Sequence, residues 1–245
     1  TLSLHDALPI FLAAVPGPGR IRNSNGPLLT ALATAAGAEA RDHGIASDEE
    51  GPLRAALASA LDGADIVLTS GGVSRGDRDL VPGLLTELGV RELFHRWAVQ
   101  PGGPLWCGVR GETLVVGLPG NPAASRVGFE LLVRPALDAL AGQAFVPRAG
   151  VKAFWQGAWG RAMPRRRFRP VDVHVDADGT LIATSRPWRG SGDPFALSDA
   201  PAWLVPRGPA SGAGVSSGST SQAGPRGTLV DVLLLDVPLS MRSAP

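Results

Sequence analysis

The chain contains one cysteine, Cys107, in 245 residues. A single thiol cannot close an internal disulfide, and it excludes a zinc site built on clustered cysteines. Placed in a strand-like run after Pro104, it reads as a packed thiol rather than a nucleophile. His43, His95 and His174 are scattered, without metal-ligand spacing. Charge of one sign is lacking too, since the formal net charge is +1, and aromatic residues do not interleave with basic ones. Nucleic acid is therefore not an expected partner. No apolar run is long enough to span a bilayer, so a membrane is not expected either. No stretch reads as a signal peptide, which leaves the cytoplasm as the expected compartment. There are no internal repeats. The chain has 44% hydrophobic residues and length for one large or two modest domains.

The most informative stretch is IVLTSGGVSRGDRD over residues 66–79. An apolar, β-branched run predicts a buried strand of a parallel sheet. It enters glycines and small hydroxyls, then Asp77 and Asp79, then a helical pattern of Leu80, Leu84, Leu85 and Leu88. A strand, a Gly/Ser turn and a helix start expose backbone N–H groups at the carboxyl edge of a sheet, where an anionic ligand can be held. Two carboxylates beside an anion make sense if a hard cation lies between them. An Asp there is more commonly a helix N-cap, and the residues alone leave both readings open.

A second strand, TLVVG over residues 113–117, leads into Leu118, Pro119, Gly120, Asn121 and Pro122, then an apolar-periodic helix through Leu140. Two prolines around Gly-Asn make a rigid loop, and Pro122 suits a first helical position. Between the two motifs lies FHRWAVQPGGP over residues 94–104. The succession SGGVS-x-G-D-x-D, FH-x-x-A-x-x-PG-x-P, GLPGNP and FELLVRPAL resembles the molybdopterin molybdenumtransferases, the MoeA family that includes the E domain of gephyrin. Several motifs in one order are more specific than any one. The likeness runs from about Gly19 to Gly142 and is fainter beyond.

The resemblance implies a doubly wound, MogA/MoaB-like molybdopterin-binding α/β domain over residues 11–145, followed by a small all-β barrel over 150–240. It implies molybdenum cofactor biosynthesis: molybdate is inserted at the dithiolene of adenylylated molybdopterin and AMP is released. Mg2+ is the implied metal, a homodimer the implied assembly, and a molybdopterin adenylyltransferase the implied candidate partner. Asp79 corresponds to the family's essential acid, with Asp77 as a second metal ligand. Ser70, Gly71, Gly72, Ser74 and Gly76 match the pterin-phosphate loop, and Asn25 belongs to the motif at the opposite wall. Gln100, Pro101 and Gly102 fall in the family's K-P-G-K-P segment, while Pro119, Gly120, Asn121 and Pro122 frame a closing loop. For the prolines, loop rigidity alone accounts equally well.

The departures are specific. Gln100 and Gly103 stand where the family carries oxyanion-binding lysines, and Ala124 where it carries a serine, with Ser125 displaced by one. Arg96 and Arg75 lie nearby in sequence, though an arginine fork is not a lysine point charge. A non-catalytic or divergent molybdopterin-binding paralogue is therefore one alternative. A molybdopterin adenylyltransferase-like protein is another, disfavoured by the segment after Gly150.

Elsewhere, residues 25–36 read as a helix with Ser24 or Asn25 as cap, 38–45 as a strand, and 48–61 as a helix with Leu53, Leu57 and Leu61 on one face. Strand-like segments follow at 151–155, 168–175, 181–185, 202–205 and 228–235, and the Gly/Ser/Pro-rich 208–227 reads as a flexible loop. Arg161, Arg165, Arg166, Arg167 and Arg169 read mostly as a solvated strand edge, Arg167 being the best exception. Trp155, Trp159, Trp188 and Trp203 suit a barrel core or rim. Residues 1–10 do not match what precedes the family's G-x-I-x-x-SN motif. They read as a translated sequencing adapter or a poorly ordered arm. The family's opening strand and T-G-D-E turn are expected just before Gly19, where residues 11–15 replace at best part of the strand.

Overall fold

A computed structural model describes residues 8–11, 13–73, 80–144, 150–156, 166–188, 200–205, 228–235 and 240–241. The chain forms two compact units. One comprises Thr1–Trp97 and Gly102–Phe145, the other Ala98–Pro101 and Val146–Pro245.

In the first unit, β1 (Leu8–Ile10) pairs in parallel with β2 (Arg20–Arg22), so part of the segment set aside as an arm lies in a ladder. The elements α1 (Asn25–Ala35), α2 (Glu50–Leu61), β3 (Ile66–Ser70), α3 (Leu80–Glu87) and β4 (Arg91–His95) follow. After the excursion at Ala98–Pro101, which carries β5 (Val99–Gln100), come β6 (Trp106–Arg110), β7 (Thr113–Leu118), α4 (Pro122–Gly128) and α5 (Arg134–Leu140). The sheet order is β3-β7-β6-β4. Only β3 and β7 are parallel; β7–β6 and β6–β4 are antiparallel.

Side chains alternate across a strand, and β7 shows it. Val115 packs with Leu53, Leu57 and Leu61 of α2, Val81, Leu84 and Leu85 of α3, and Val67 of β3. Val116 and Leu118 pack instead with Leu29 of α1, Leu105, Cys107, Phe129 and Val133. Helices thus cover both faces, the doubly wound arrangement. A buried leucine of this kind contributes about 1.5–3 kcal/mol of transfer free energy.

Three expectations differ from what is found. Residues 38–45 form no strand: among the described residues no strand pairs with β3 on its side away from β7, and an unpaired extended segment has no ladder to join. Gly37 and Gly44 instead take left-handed φ of 86° and 81°, and Asp42 Oδ1 accepts the Gly44 N–H at 2.8 Å. Neither Ser24 nor Asn25 caps α1 with its side chain; the Gly26 N–H donates to Asn23 Oδ1 at 3.1 Å. The helix through Leu140 is broken by a π-helical turn at Phe129–Val133. Pro135 has no N–H and its ring opposes the carbonyl four residues back, which disfavours an unbroken α-helix.

In the second unit, β8 (Val151–Gln156), β10 (Arg169–Val175), β11 (Leu181–Ser185), β12 (Ala202–Leu204) and β13 (Thr228–Leu234) form a closed five-stranded barrel. The order β11-β8-β13-β12-β10 is closed by antiparallel β10–β11 pairing. Alternate residues fill it, among them Ala153 and Trp155, Val171 and Val173, Val230 and Val232. β9 (Arg166–Arg167) pairs in parallel with β5, and β14 (Ser240–Met241) with β10. The glycine-rich 208–227 lies outside the described residues.

The π turn carries a buried ion pair: Arg134 Nε lies 2.9 Å from Glu130 Oε2, the two side chains being 8% and 2% exposed. The guanidinium also lies over the Phe129 ring at 5.7 Å. Removing one member takes from the other its ion-pair partner in a buried setting, where that loss is costly. Arg134→Leu should therefore cost about 3–5 kcal/mol, and Glu130→Leu in the same chain should recover most of it. Urea denaturation of parent, single and double variants measures both.

Candidate functional site

Parallel pairing places Ser70 opposite Leu118, so the turn after β3 and the loop after β7 leave the sheet side by side at its carboxyl edge. The Gly71 N–H continues the ladder, donating to the Leu118 carbonyl at 2.9 Å. Gly71 and Gly72 then take φ of 93° and 66°, a left-handed course that glycine follows without the Cβ penalty. A Cβ on Gly120 would lie 3.7 Å from Gly71 Cα, a measure of how closely the two backbones approach.

Asn25, the first residue of α1, is buried and ties the two loops together. Its Nδ2 donates to Ser70 Oγ at 2.6 Å and to the Gly120 carbonyl at 2.9 Å. Both amide protons are thereby used. Its Oδ1 is buried and has no hydrogen-bond partner.

Val73 is held at both ends. A Cβ on Gly117 would come within 2.5 Å of Val73 Cγ1, so the glycine is a notch that admits this side chain. His95 Nε2 lies 2.9 Å from the Val73 carbonyl, a contact that requires the N–H on Nε2. Sequence reasoning gave His95 no role; its signal was the F-H pair ahead of the Gly/Pro segment. Beyond His95, Arg96 holds a left-handed φ of 74°, costing about 1–2 kcal/mol, while its N–H donates to the Leu105 carbonyl at 2.7 Å. Trp97 Nε1 donates to the Gly102 carbonyl at 2.7 Å. Gly102 has φ of 111°, and a Cβ there would meet the Ala124 carbonyl at 3.3 Å.

In the loop after β7, Asn121 caps α4, its Oδ1 accepting the Ala124 N–H at 3.2 Å, and Pro122 opens the helix. Ser125 is buried and donates to the Pro119 carbonyl at 2.5 Å. Its proton braces the loop from within.

The structure thus brings Asn25, Ser70, Gly71, Gly72, Pro119, Gly120, Asn121 and Pro122 to one sheet edge, with Gly102 in the same unit. Gln100 and Pro101 belong to the second unit. Ser74, Gly76, Asp77 and Asp79 lie outside the described residues, and among those described no group of three or more His, Cys, Asp or Glu gathers. Cys107 is 2% exposed, and burial pushes its thiol up to about 11. A thiol so protonated at neutral pH is a poor nucleophile. Among the described residues no helix is long and apolar enough to cross a membrane.

Residues 5–139 match the family described as probable molybdopterin binding domain. A molybdopterin molybdenumtransferase of Bacillus subtilis is 35% identical over 205 residues, covering 84% of this chain and 47% of the relative. That of Staphylococcus aureus is 33% identical over 167 residues, covering 68% and 40%. The chain spans about half the length of these relatives. Among solved structures, a molybdopterin biosynthesis MoeA protein from Pyrococcus horikoshii superposes with a TM-score of 0.64 at 27% identity, over 92% of this chain and 49% of the other. A molybdenum cofactor biosynthesis protein from Pyrococcus furiosus gives 0.60 at 26%, over 87% and 65%.

Asn25→Ala removes both tethers and leaves two acceptors without their donor. It should cost about 1–3 kcal/mol of stability. Amide exchange should accelerate at Gly71, whose ladder bond the tether supports, by more than at Val116 in the centre of β7, which follows the global stability alone. Hydrogen exchange followed by mass spectrometry reads both.

Proposed function

The chain belongs to the family of probable molybdopterin binding domains, and from that premise we propose that it acts in molybdenum cofactor biosynthesis. In this reading it binds adenylylated molybdopterin at the β3–β7 edge, inserts molybdate at the dithiolene and releases AMP. The observation that carries the reading is Asn25: its donors are spent on the two loops, while its buried Oδ1 remains an acceptor without a partner. A pterin presents N–H donors, and a buried acceptor discriminates strongly in favour of a ligand that supplies one.

The bare backbone of Gly71 and Gly72 takes the phosphate side, where side-chain bulk is absent. Asn25, Pro119 and Gly120 form the facing wall. Asp77 and Asp79 would hold Mg2+, since hard carboxylate oxygens suit that ion; when bound, it would neutralise the pyrophosphate. Covalent work for the side chains is small, and their task is to position and to exclude water. The same reading makes the protein a cytoplasmic homodimer fed by a molybdopterin adenylyltransferase.

A second reading, a pterin-binding paralogue without turnover, is favoured by Gln100, Gly103 and Ala124. It differs in one result: pterin binding without molybdate-dependent AMP release.

Titrating adenylylated molybdopterin with and without Mg2+ tests the first reading. Mg2+ should tighten binding by about tenfold or more in the parent and have little effect in Asp79→Ala. Equal affinity in both conditions for the parent would remove the metal from the site, and no binding at all would remove the function.

A further inference from the structure

Three strands end at the carboxyl edge of the sheet. β4 is antiparallel to β6 and β6 to β7, so β4 runs in the direction of β7 and β3. His95, the last residue of β4, therefore lies at the same edge as Ser70 and Leu118. In the order β3-β7-β6-β4, three strand spacings of about 4.8 Å separate β3 from β4. The turn after β3 crosses that span instead of continuing along its own strand. Gly72 packs on α3, where a Cβ would meet Val81 Cγ2 at 2.8 Å. The Val73 side chain drops into the Gly117 notch of β7, and its carbonyl reaches His95 of β4, 2.9 Å from Nε2.

The turn is thus anchored at two ends, with two glycines between. On entry, Asn25 holds Ser70, and the Gly71 N–H bonds the Leu118 carbonyl. On exit, the notch fixes where Val73 sits but not the rotation of its carbonyl. A planar peptide turns as one body, so the His95 bond fixes that rotation. Glycine has the most backbone freedom to lose. A Gly-Gly turn presents its N–H groups in one arrangement only while both ends are held, and a ligand meeting a loose turn has to order it on binding. A carbonyl only accepts, so the imidazole carries its proton on Nε2. The contact is part-buried, so water can replace a lost donor and little stability depends on it.

We propose that His95 is a positioning residue of the glycine turn: through Val73, its Nε2–H sets the reach of the Gly71-Gly72 backbone toward a phosphate of the bound nucleotide. The choice of ligand rests on the function proposed above; the clamp rests on the His95–Val73 bond. In this role His95 neither touches the ligand nor transfers a proton.

His95→Phe keeps a ring and loses the donor, whereas His95→Gln carries an amide N–H at comparable reach. Anaerobic equilibrium dialysis of the full chain against adenylylated molybdopterin should show binding about tenfold weaker in His95→Phe and close to the parent in His95→Gln. Urea midpoints of both variants should stay near the parent's. In the parent, heteronuclear NMR of the neutral imidazole should find the proton on Nε2. Parent-like nucleotide binding by His95→Phe would overturn the proposal, as would a proton on Nδ1. Equal weakening in both variants would overturn it too, because the donor would then not be what matters. A urea midpoint of His95→Phe that falls along with its affinity would overturn it in favour of a purely structural bond. A parent that binds no pterin nucleotide would overturn the proposed function and not the clamp, which amide exchange at Gly71 then decides. Exchange faster in His95→Phe and restored in His95→Gln supports the clamp; exchange unchanged in both overturns it.

Discussion

The one parallel pairing in the four-stranded sheet, Ile66–Ser70 with Leu114–Leu118, is the constraint on which the candidate site depends. Parallel neighbours end on the same side of a sheet. Two turns that are far apart in sequence therefore emerge next to each other, each with backbone to spare for a ligand. Had β3 and β7 been antiparallel, like the other neighbours in the sheet, the Gly-Gly turn and the Pro-Gly-Asn-Pro loop would lie at opposite ends. The helices on both faces bury β7 completely over Val115 and Val116, which fixes register, because a slip of one residue would exchange its two faces.

Around that pairing the loops are held by backbone acceptors rather than by long side chains. Asn25, His95, Trp97 and Ser125 each direct a polar hydrogen at a loop carbonyl: Gly120, Val73, Gly102 and Pro119 respectively. Their rings and amides anchor the loops without filling the space above them. The left-handed Arg96 belongs to the same scheme. Strain there is offset by its N–H bond to Leu105, and the result is a chain path that a relaxed residue would not follow.

Much of this was legible in the residues because it depends on local pattern. Leu53, Leu57 and Leu61 repeat with helical period and are buried; Val171, Val173 and Val175 alternate with Asp172 and His174 in a strand of the barrel. The Gly- and Pro-containing motifs each follow a strand in the residues, and the structure brings the loops they form to one sheet edge. What was not legible depends on partners distant in sequence. Residues 38–45 have strand composition but no ladder to join. The π turn follows from Pro135 acting on carbonyls a turn earlier, inside a pattern whose apolar period is uninterrupted. The Arg167 guanidinium stacks over the Trp188 ring, and nothing in either local sequence announces it. His95 was visible as a motif residue, but its bond to Val73 required the turn to be placed first.

The excursion at Ala98–Pro101 bears on how the polypeptide acquires its structure. During synthesis, β5 leaves the ribosome long before β9 exists, and it is flanked by β4 and β6, which pair with each other. The β4–β6 ladder is a local event, whereas closing the span from Gln100 to Arg167 carries an entropic cost that grows with the logarithm of loop length. The β5–β9 ladder is thus among the last to assemble, and for that interval Gln100 waits without its neighbour. The two units are distinct by contact, yet the second becomes whole only by reclaiming a piece that the first has already presented.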